Sequence, residues 1–344
     1  MLEIDGLTKY YDDLLAVDDL SFSVDEGDFA TLLGPSGCGK STTLHTIAGL
    51  IEPTDGTIRL RGEDVTDRQP DERNIGMVFQ SSALFPHMTV KENIAYGLKM
   101  HGMDDEIDER VSEYLGLVEM AGYEDHLTTE LSGGQQRRVS IARALAYEPD
   151  ILLLDEPLTG LDRVLREQIR DEIKQIQREI NVTTLFVTHD QEEALSLSDQ
   201  VIVLNDGRKE QEGDPESLYA RPANSFVAEF IGKSSRFTGS TDERDPSVIR
   251  NGTATFVVDP DRSIEPGEVT LYVRPEDIVL EPAGRYENEF EATVSHVANV
   301  GSHSELELEL EDGTPVVVES DRFPDLSVGD DVTIGFHPQD VIVL

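Results

Sequence analysis

The chain has no tryptophan, a single cysteine at Cys38, and only seven lysines in 344 residues. A lone cysteine excludes an internal disulfide framework and fits a reducing compartment. Basic residues number 28 against 70 acidic ones, a formal charge of −42. So small a supply of Lys and Arg excludes a protein that grips nucleic acid by neutralising its phosphates, so no nucleic-acid partner is expected. No run of 18 apolar residues occurs, and Met1–Asp5 has neither the basic nor the apolar region of a signal peptide. A cytosolic chain that does not span a membrane, though free to sit against one, is expected.

At roughly 150 residues per domain, the length suggests two domains. Acids number 17, 23 and 19 in the first three hundreds and 11 in the last 44 residues, so they coat the fold rather than form a tail. Self-repulsion of this size is tolerated in molar salt, where the Debye length shrinks to about 3 Å. With lysine so scarce, the coat points to a halophile's salt-rich cytosol rather than to an ordinary acidic protein.

Phe29 to Leu33 is a short apolar run that ends at Gly34-Pro35-Ser36-Gly37-Cys38-Gly39-Lys40-Ser41-Thr42, and Leu44, Ile47 and Ala48 then recur at helical spacing. Ile151–Leu154 and Thr184–Thr188 read as further buried strands, ending at Asp155-Glu156-Pro157 and His189-Asp190. Between them, Leu165–Ile180 reads as a charged helix with Ile169, Ile173, Ile176 and Ile180 on one face. Strands alternating with helices predict an α/β fold with a parallel sheet and ligand groups at the strands' carboxyl ends. Residues 84 to 147 read as a helical insert. From about Phe237 the texture becomes short alternating strands, as in a small β-barrel or sandwich. There Val269–Val279 repeats in pattern as Val332–Ile342, which fits either pseudo-symmetric halves of one barrel or two independent strand-turn-strand units.

Glycines in the 34–42 loop let successive backbone N–H groups turn inward around phosphate oxygens, and the following helix adds its positive end. In this spacing Lys40 reaches the β- and γ-phosphates, Ser41 offers a hydroxyl to Mg²⁺ and Thr42 bonds the α-phosphate, so the chain is predicted to bind a nucleoside triphosphate. Asp155 is the expected Mg²⁺ carboxylate and Glu156 the candidate general base for an attacking water. Leu131-Ser132-Gly133-Gly134-Gln135 reads as an N-cap serine opening a helix whose N–H groups could also hold phosphate.

That pentapeptide, some ninety residues after the glycine loop and just before the Asp155 strand, resembles the signature motif of ATP-binding cassette ATPases. The resemblance covers roughly residues 1 to 233. It implies a P-loop core with a helical subdomain, ATP and Mg²⁺ as cofactors, and hydrolysis. Gln80 then matches the glutamine that touches Mg²⁺ and the attacking water, His189 the histidine that contacts the γ-phosphate, and Leu161-Asp162 the D-loop. Tyr11, or Tyr10 beside it, sits where an aromatic stacks on adenine. Cassettes of this family pair head to tail, so Ser132, Gly133, Gly134 and Gln135 of one copy would complete the site around Lys40 of a second.

Gly213–Gly232 resembles the cassette end of the maltose, polyamine, ferric-iron and sulfate importers, and the region after Phe237 resembles their OB-like, TOBE-type regulatory barrel. This implies domains 1–234 and 235–344. It also implies a peripheral place on the cytoplasmic membrane face, two transmembrane permease subunits docked around Ser81–Lys99, and indirectly an external solute-binding protein. Lys233–Phe237 departs from the sugar branch's usual continuation. With Asp162–Arg166, this favours ferric iron, polyamine or thiamine over sugars or oxyanions. A soluble, non-transport cassette is the alternative of another class.

Overall fold

Runs of consecutive apolar residues, buried on both faces, set the centre of the N-terminal unit, Met1–Pro215. In chain order its strands are β1 (Leu2–Tyr11), β2 (Leu14–Val24), β3 (Phe29–Leu33), β4 (Asp55–Leu60), β5 (Glu63–Asp64), β6 (Ile75–Val78), β7 (Ile151–Asp155), β8 (Thr183–Thr188), β9 (Gln200–Asn205) and β10 (Arg208–Gly213). Its main helices are α1 (Lys40–Ile47), α2 (Val90–Met100), α3 (Ile107–Leu117), α4 (Gly133–Leu145), α5 (Arg163–Ile180) and α6 (Gln191–Leu197). The structure is a computed structural model describing residues 1–252, 254–262, 264–282, 284–321 and 324–344.

Every residue of β3, β7 and β8 is buried. They lie inside a six-stranded sheet of order β10-β9-β3-β8-β7-β6, parallel except for the β9–β10 hairpin. Alternation splits the core in two, since successive side chains of a strand point to opposite faces. Ile151 and Leu153 join the residues of α1 and of the antiparallel sheet β2-β1-β4-β5, while Leu152 and Leu154 join those of α2–α5. The stretch 84 to 147, read as a helical insert, holds α2, α3 and α4 and no strand. In α5, Ile169, Ile173 and Ile176 are buried as their spacing predicted, and Asn181, at φ 51°, ends the helix. Because β3, β7 and β8 run in register, Leu33 opposite Thr188 and Asp155 opposite Val187, the segments after all three emerge on one edge of the sheet.

The second unit, Glu216–Leu344, has two five-stranded antiparallel sheets around one apolar core, the expected small barrel. Its internal repeat pairs crosswise. Glu268–Val273 of the first copy pairs with Ile342–Val343 of the second, and Val279–Leu280 of the first with Asp331–Phe336 of the second. Reciprocal pairing is the arrangement of pseudo-symmetric halves, not of independent units. The division at Pro215 lies upstream of the expected boundary near Ser234 because Arg274 binds the intervening segment to the second unit. Its guanidinium donates to Tyr219 O at 2.8 Å, Ala228 O at 3.1 Å and Ser234 Oγ at 2.7 Å. No helix among the described residues is long and apolar enough to cross a membrane.

Candidate functional site

The loop between β3 and α1 is shaped by close approach. A Cβ on Gly34 would stand 2.2 Å from Leu204 O, and Gly39, at φ 100°, would bring one within 2.5 Å of Ala16 O. Neither position admits another residue without moving backbone. Cys38 is buried, and burial pushes its thiol pKa up against the opposing pull of Lys40, so it serves as a small, unreactive filler. Lys40 is 5 % exposed and donates to Gly34 O at 2.7 Å and Pro35 O at 2.9 Å. Among the described residues it has no carboxylate partner. A buried ammonium over a glycine cradle, lacking its counter-anion, is the charge complement of a phosphate.

In the first turn of α1, Ser41 Oγ donates to Asp155 Oδ1 at 3.1 Å, joining the end of β7 to the loop. A hydroxyl beside a carboxylate is a hard-oxygen donor pair of the kind Mg²⁺ takes, so these residues fit the ion.

Glu156, the next residue, is a hub. It stands at φ 42°, in the left-handed region, with its N–H bonded to Val187 O at 3.1 Å. Its Oε2 accepts from Gln80 Nε2 at 3.3 Å and from Thr159 Oγ1 at 3.1 Å, and its Oε1 lies 3.4 Å from His189 Nδ1. Strain at a non-glycine residue, held by partners from three segments, fixes the carboxylate beside Gln80, Thr159 and His189.

The structure thus brings together Lys40, Ser41, Asp155, Glu156, Gln80 and His189. Ser132 and Gln135 instead cap α4 reciprocally, Ser132 N to Gln135 Oε1 at 2.9 Å and Gln135 N to Ser132 Oγ at 3.3 Å, with Gly133 opening the helix and Gly134 packed against Leu165. Asp162 caps α5 through Leu165 N. Tyr11 ends β1, about half-exposed, with Lys9 Nζ 5.2 Å from its ring centre; Tyr10 is similarly exposed. His45, one turn after Ser41, escaped the sequence reading. Its Nε2 lies 3.1 Å from Asp155 Oδ2, and its ring 6.3 Å from that of Phe79. The i, i+4 spacing to Ser41 was the available signal. Thr159 and Arg137, which holds the Gln80 loop, were missed as well.

A family profile described as ABC transporter matches residues 17–159, and one described as TOBE domain matches residues 271–344. The chain is 43% identical over 343 residues to the Fe(3+) ions import ATP-binding protein FbpC of Brucella abortus (strain 2308), covering 99% of this chain and 96% of the relative. The chain belongs to the ABC transporter family. A protein of the same name from Photorhabdus laumondii is 43% identical to this ABC protein over 347 residues, covering 100% of the chain and 97% of the relative. A dimeric ATP-binding cassette in a post-hydrolysis state, bound to ADP and Pi, superposes with a TM-score of 0.55 at 34% identity, covering 62% of this chain and 99% of that one. The cbiO1 protein of Clostridium perfringens, part of the ABC transporter complex cbiONQ, gives 0.59 at 30% identity, covering 64% and 90%. This cassette binds and hydrolyses ATP, and its second unit carries a TOBE domain at residues 271–344.

Proposed function

We propose that this chain is the ATPase subunit of a ferric-iron importer, working as a head-to-tail pair beneath two permease subunits on the cytoplasmic face of the membrane. The supporting observation is identity with proteins named for Fe(3+) import that runs through the TOBE domain as well as the cassette. Polyamine and thiamine fit the sequence features at Lys233–Phe237 and Asp162–Arg166 equally well, and the relatives' names favour iron over them.

In this reading the inward N–H groups of Gly34–Gly39 and the start of α1 hold the phosphates, with Pro35, Ser36, Gly37 and Cys38 shaping the turn. Lys40 turns from its two carbonyls to the β- and γ-oxygens, and Thr42 reaches the α-phosphate. Tyr11 stacks on adenine. Ser41, Asp155 and Gln80 are the residues that would hold Mg²⁺, which when bound neutralises charge developing on the phosphates. Glu156 takes the proton of the attacking water as general base. His189, with its Nδ1 3.4 Å from that carboxylate, faces the γ-phosphate. Ser132, Gly133, Gly134 and Gln135 of the second copy close the site, and Asp162 lies at the seam.

A groove of about 410 Å³, lined by Gln80–Leu84, Pro86, Thr128, Thr129 and Gln136, begins at the catalytic glutamine and is where a permease segment would dock. The test is reconstitution with the neighbouring permease genes. ATP turnover is expected to rise several-fold only when the external binding protein carries ferric iron. Stimulation by polyamine, thiamine, sugar or sulfate instead would reassign the cargo, and failure to co-purify with any membrane subunit would overturn the transport reading.

A further inference from the structure

The first turns of α2 and α4 close by direct reciprocal caps, with Thr89 N donating to Glu92 Oε2 at 2.8 Å and Ser132 N to Gln135 Oε1 at 2.9 Å. The start of α6 departs from this pattern. Asp190 is the N-cap and accepts from Glu193 N at 3.1 Å, but the Glu193 side chain does not return to Asp190 N. Asp190 N donates instead to Thr188 Oγ1 at 3.0 Å, and that hydroxyl donates onward to Glu193 Oε2 at 2.6 Å. The residue enclosed by this circuit of bonds is His189.

Glu193 is an expensive choice for a cap. It is 7 % exposed and forms no ion pair among the described residues. Burial first pushes its pKa up, and the Thr188 hydrogen bond is the largest pull the other way. A buried carboxylate without a cation is costly, and an amide or apolar side chain of similar volume would sit there more cheaply. What the carboxylate supplies is a charge-assisted O–H···O⁻ bond, roughly twice as strong as a neutral one. That bond sets the direction of the Thr188 hydroxyl and leaves its lone pairs to Asp190 N. Both neighbours of His189 are pinned, Thr188 also by its place in β8 opposite Leu33. The imidazole itself takes no part in the circuit. It is half-exposed, with Nδ1 3.4 Å from Glu156 Oε1.

We infer that Glu193, acting through the Thr188 hydroxyl, is a positioning residue for His189. The circuit holds the backbone on both sides of the histidine, so the imidazole keeps its place beside Glu156. Glu193 serves hydrolysis through another residue and transfers no proton of its own. The inference rests on the ATPase reading of the site.

In the full chain, Glu193→Ala is expected to lower kcat for ATP about tenfold or more, while the KM for ATP and binding of a fluorescent ATP analogue change less than about twofold. Thr188→Val keeps the shape and removes the hydroxyl, and is expected to give the same loss, with the double variant no slower than either alone. Glu193→Gln still offers an acceptor and is expected to recover most of the rate. Added to His189→Ala, Glu193→Ala is expected to cost nothing further, and amide hydrogen exchange in Glu193→Ala is expected to quicken at residues 188–191 but not in β7 or α5. Retention of kcat in Glu193→Ala, a full further loss in the His189→Ala background, or parallel loss of nucleotide binding with faster exchange throughout β8 and α5 would overturn the inference and leave Glu193 a strut. Where Glu193→Ala does not fold, Thr188→Val is read the same way. Exchange is scored without turnover, so a His189→Ala chain as fast as the parent counts against the ATPase reading of His189 alone.

Discussion

His45 donates from Nε2 to Oδ2 of Asp155 at 3.1 Å, while Ser41, four residues earlier on α1, donates to Oδ1 at the same distance. A carboxylate oxygen accepts in this pair, so Nε2 of His45 carries the shared hydrogen. Both oxygens of the carboxylate proposed to hold Mg²⁺ are therefore oriented from one helix face, and the imidazole also packs near Phe79, next to Gln80.

Hydrogen bonds that orient a metal-binding carboxylate are typically worth about 10-fold or more in metal affinity or activity. His45→Ala is accordingly expected to raise the Mg²⁺ concentration for half-maximal ATPase rate about 10-fold, and His45→Gln to recover most of it. Binding of Mn²⁺ in the presence of ATP, followed by electron paramagnetic resonance, checks the same shift without turnover. An unchanged metal requirement would mean that Ser41 alone fixes the carboxylate.

Glu156→Gln keeps an acceptor oxygen for Gln80 and Thr159 and places an amide near His189, so the surrounding geometry persists while the proposed base is lost. Hydrolysis is expected to fall about 10²–10⁴-fold, with ATP still bound. Phosphate release and a nucleotide-retention assay on one preparation separate the two effects. A variant as fast as the parent would remove Glu156 from the base role.

Continuous apolar runs such as Ile151–Leu154 and Phe29–Leu33 were legible in the sequence because strands buried on both faces leave no other pattern, and the glycine loop because phosphate binding fixes its spacing. Asp155 and Glu156 followed from lying at a strand end. The His45–Asp155 bond joins residues 110 positions apart, and only the parallel register makes it. Arg137 was invisible, since its partners are the carbonyls of Phe79 and Gln80. The compact second unit begins at Glu216, upstream of the expected boundary near Ser234, for a similar reason. Arg274 reaches back to the carbonyls of Tyr219 and Ala228, a tie that no side-chain pattern encodes.

The acidic coat carries a prediction about solvent. With 70 acidic and 28 basic residues, unscreened self-repulsion opposes compaction, and molar salt reduces its range to about 3 Å. Dialysis from molar KCl to low salt is expected to reduce the helical circular dichroism signal, and restored KCl to recover it. An unchanged spectrum would make the charge a matter of solubility and would remove the halophile reading.

The pseudo-symmetry of the TOBE domain sets up a pH dependence. Equivalent turns, Pro275–Asp277 and Pro338–Asp340, come together through the crosswise strand pairing. Burial first, and the charge of Asp340 second, push the Asp277 carboxyl from 3.8 up to about 6, with Arg274 opposing. Between roughly pH 4 and 6 the folded domain thus keeps a proton that the unfolded chain has released, so this group's contribution to stability declines as pH rises through that window. A shift of this size corresponds to at most about 3 kcal/mol, cut to the order of 1 kcal/mol once partial exposure and salt screening are counted. Asp277→Asn removes the penalty, and is expected to raise the denaturant midpoint of the full chain at pH 7.5 while leaving it unchanged at pH 4. Protection of the amides of Glu268–Val273 against hydrogen exchange, measured at both pH values, assigns the change to this domain rather than to the cassette. Equal destabilisation at both pH values would instead show that the carboxylate is needed as a hydrogen-bond acceptor in its turn.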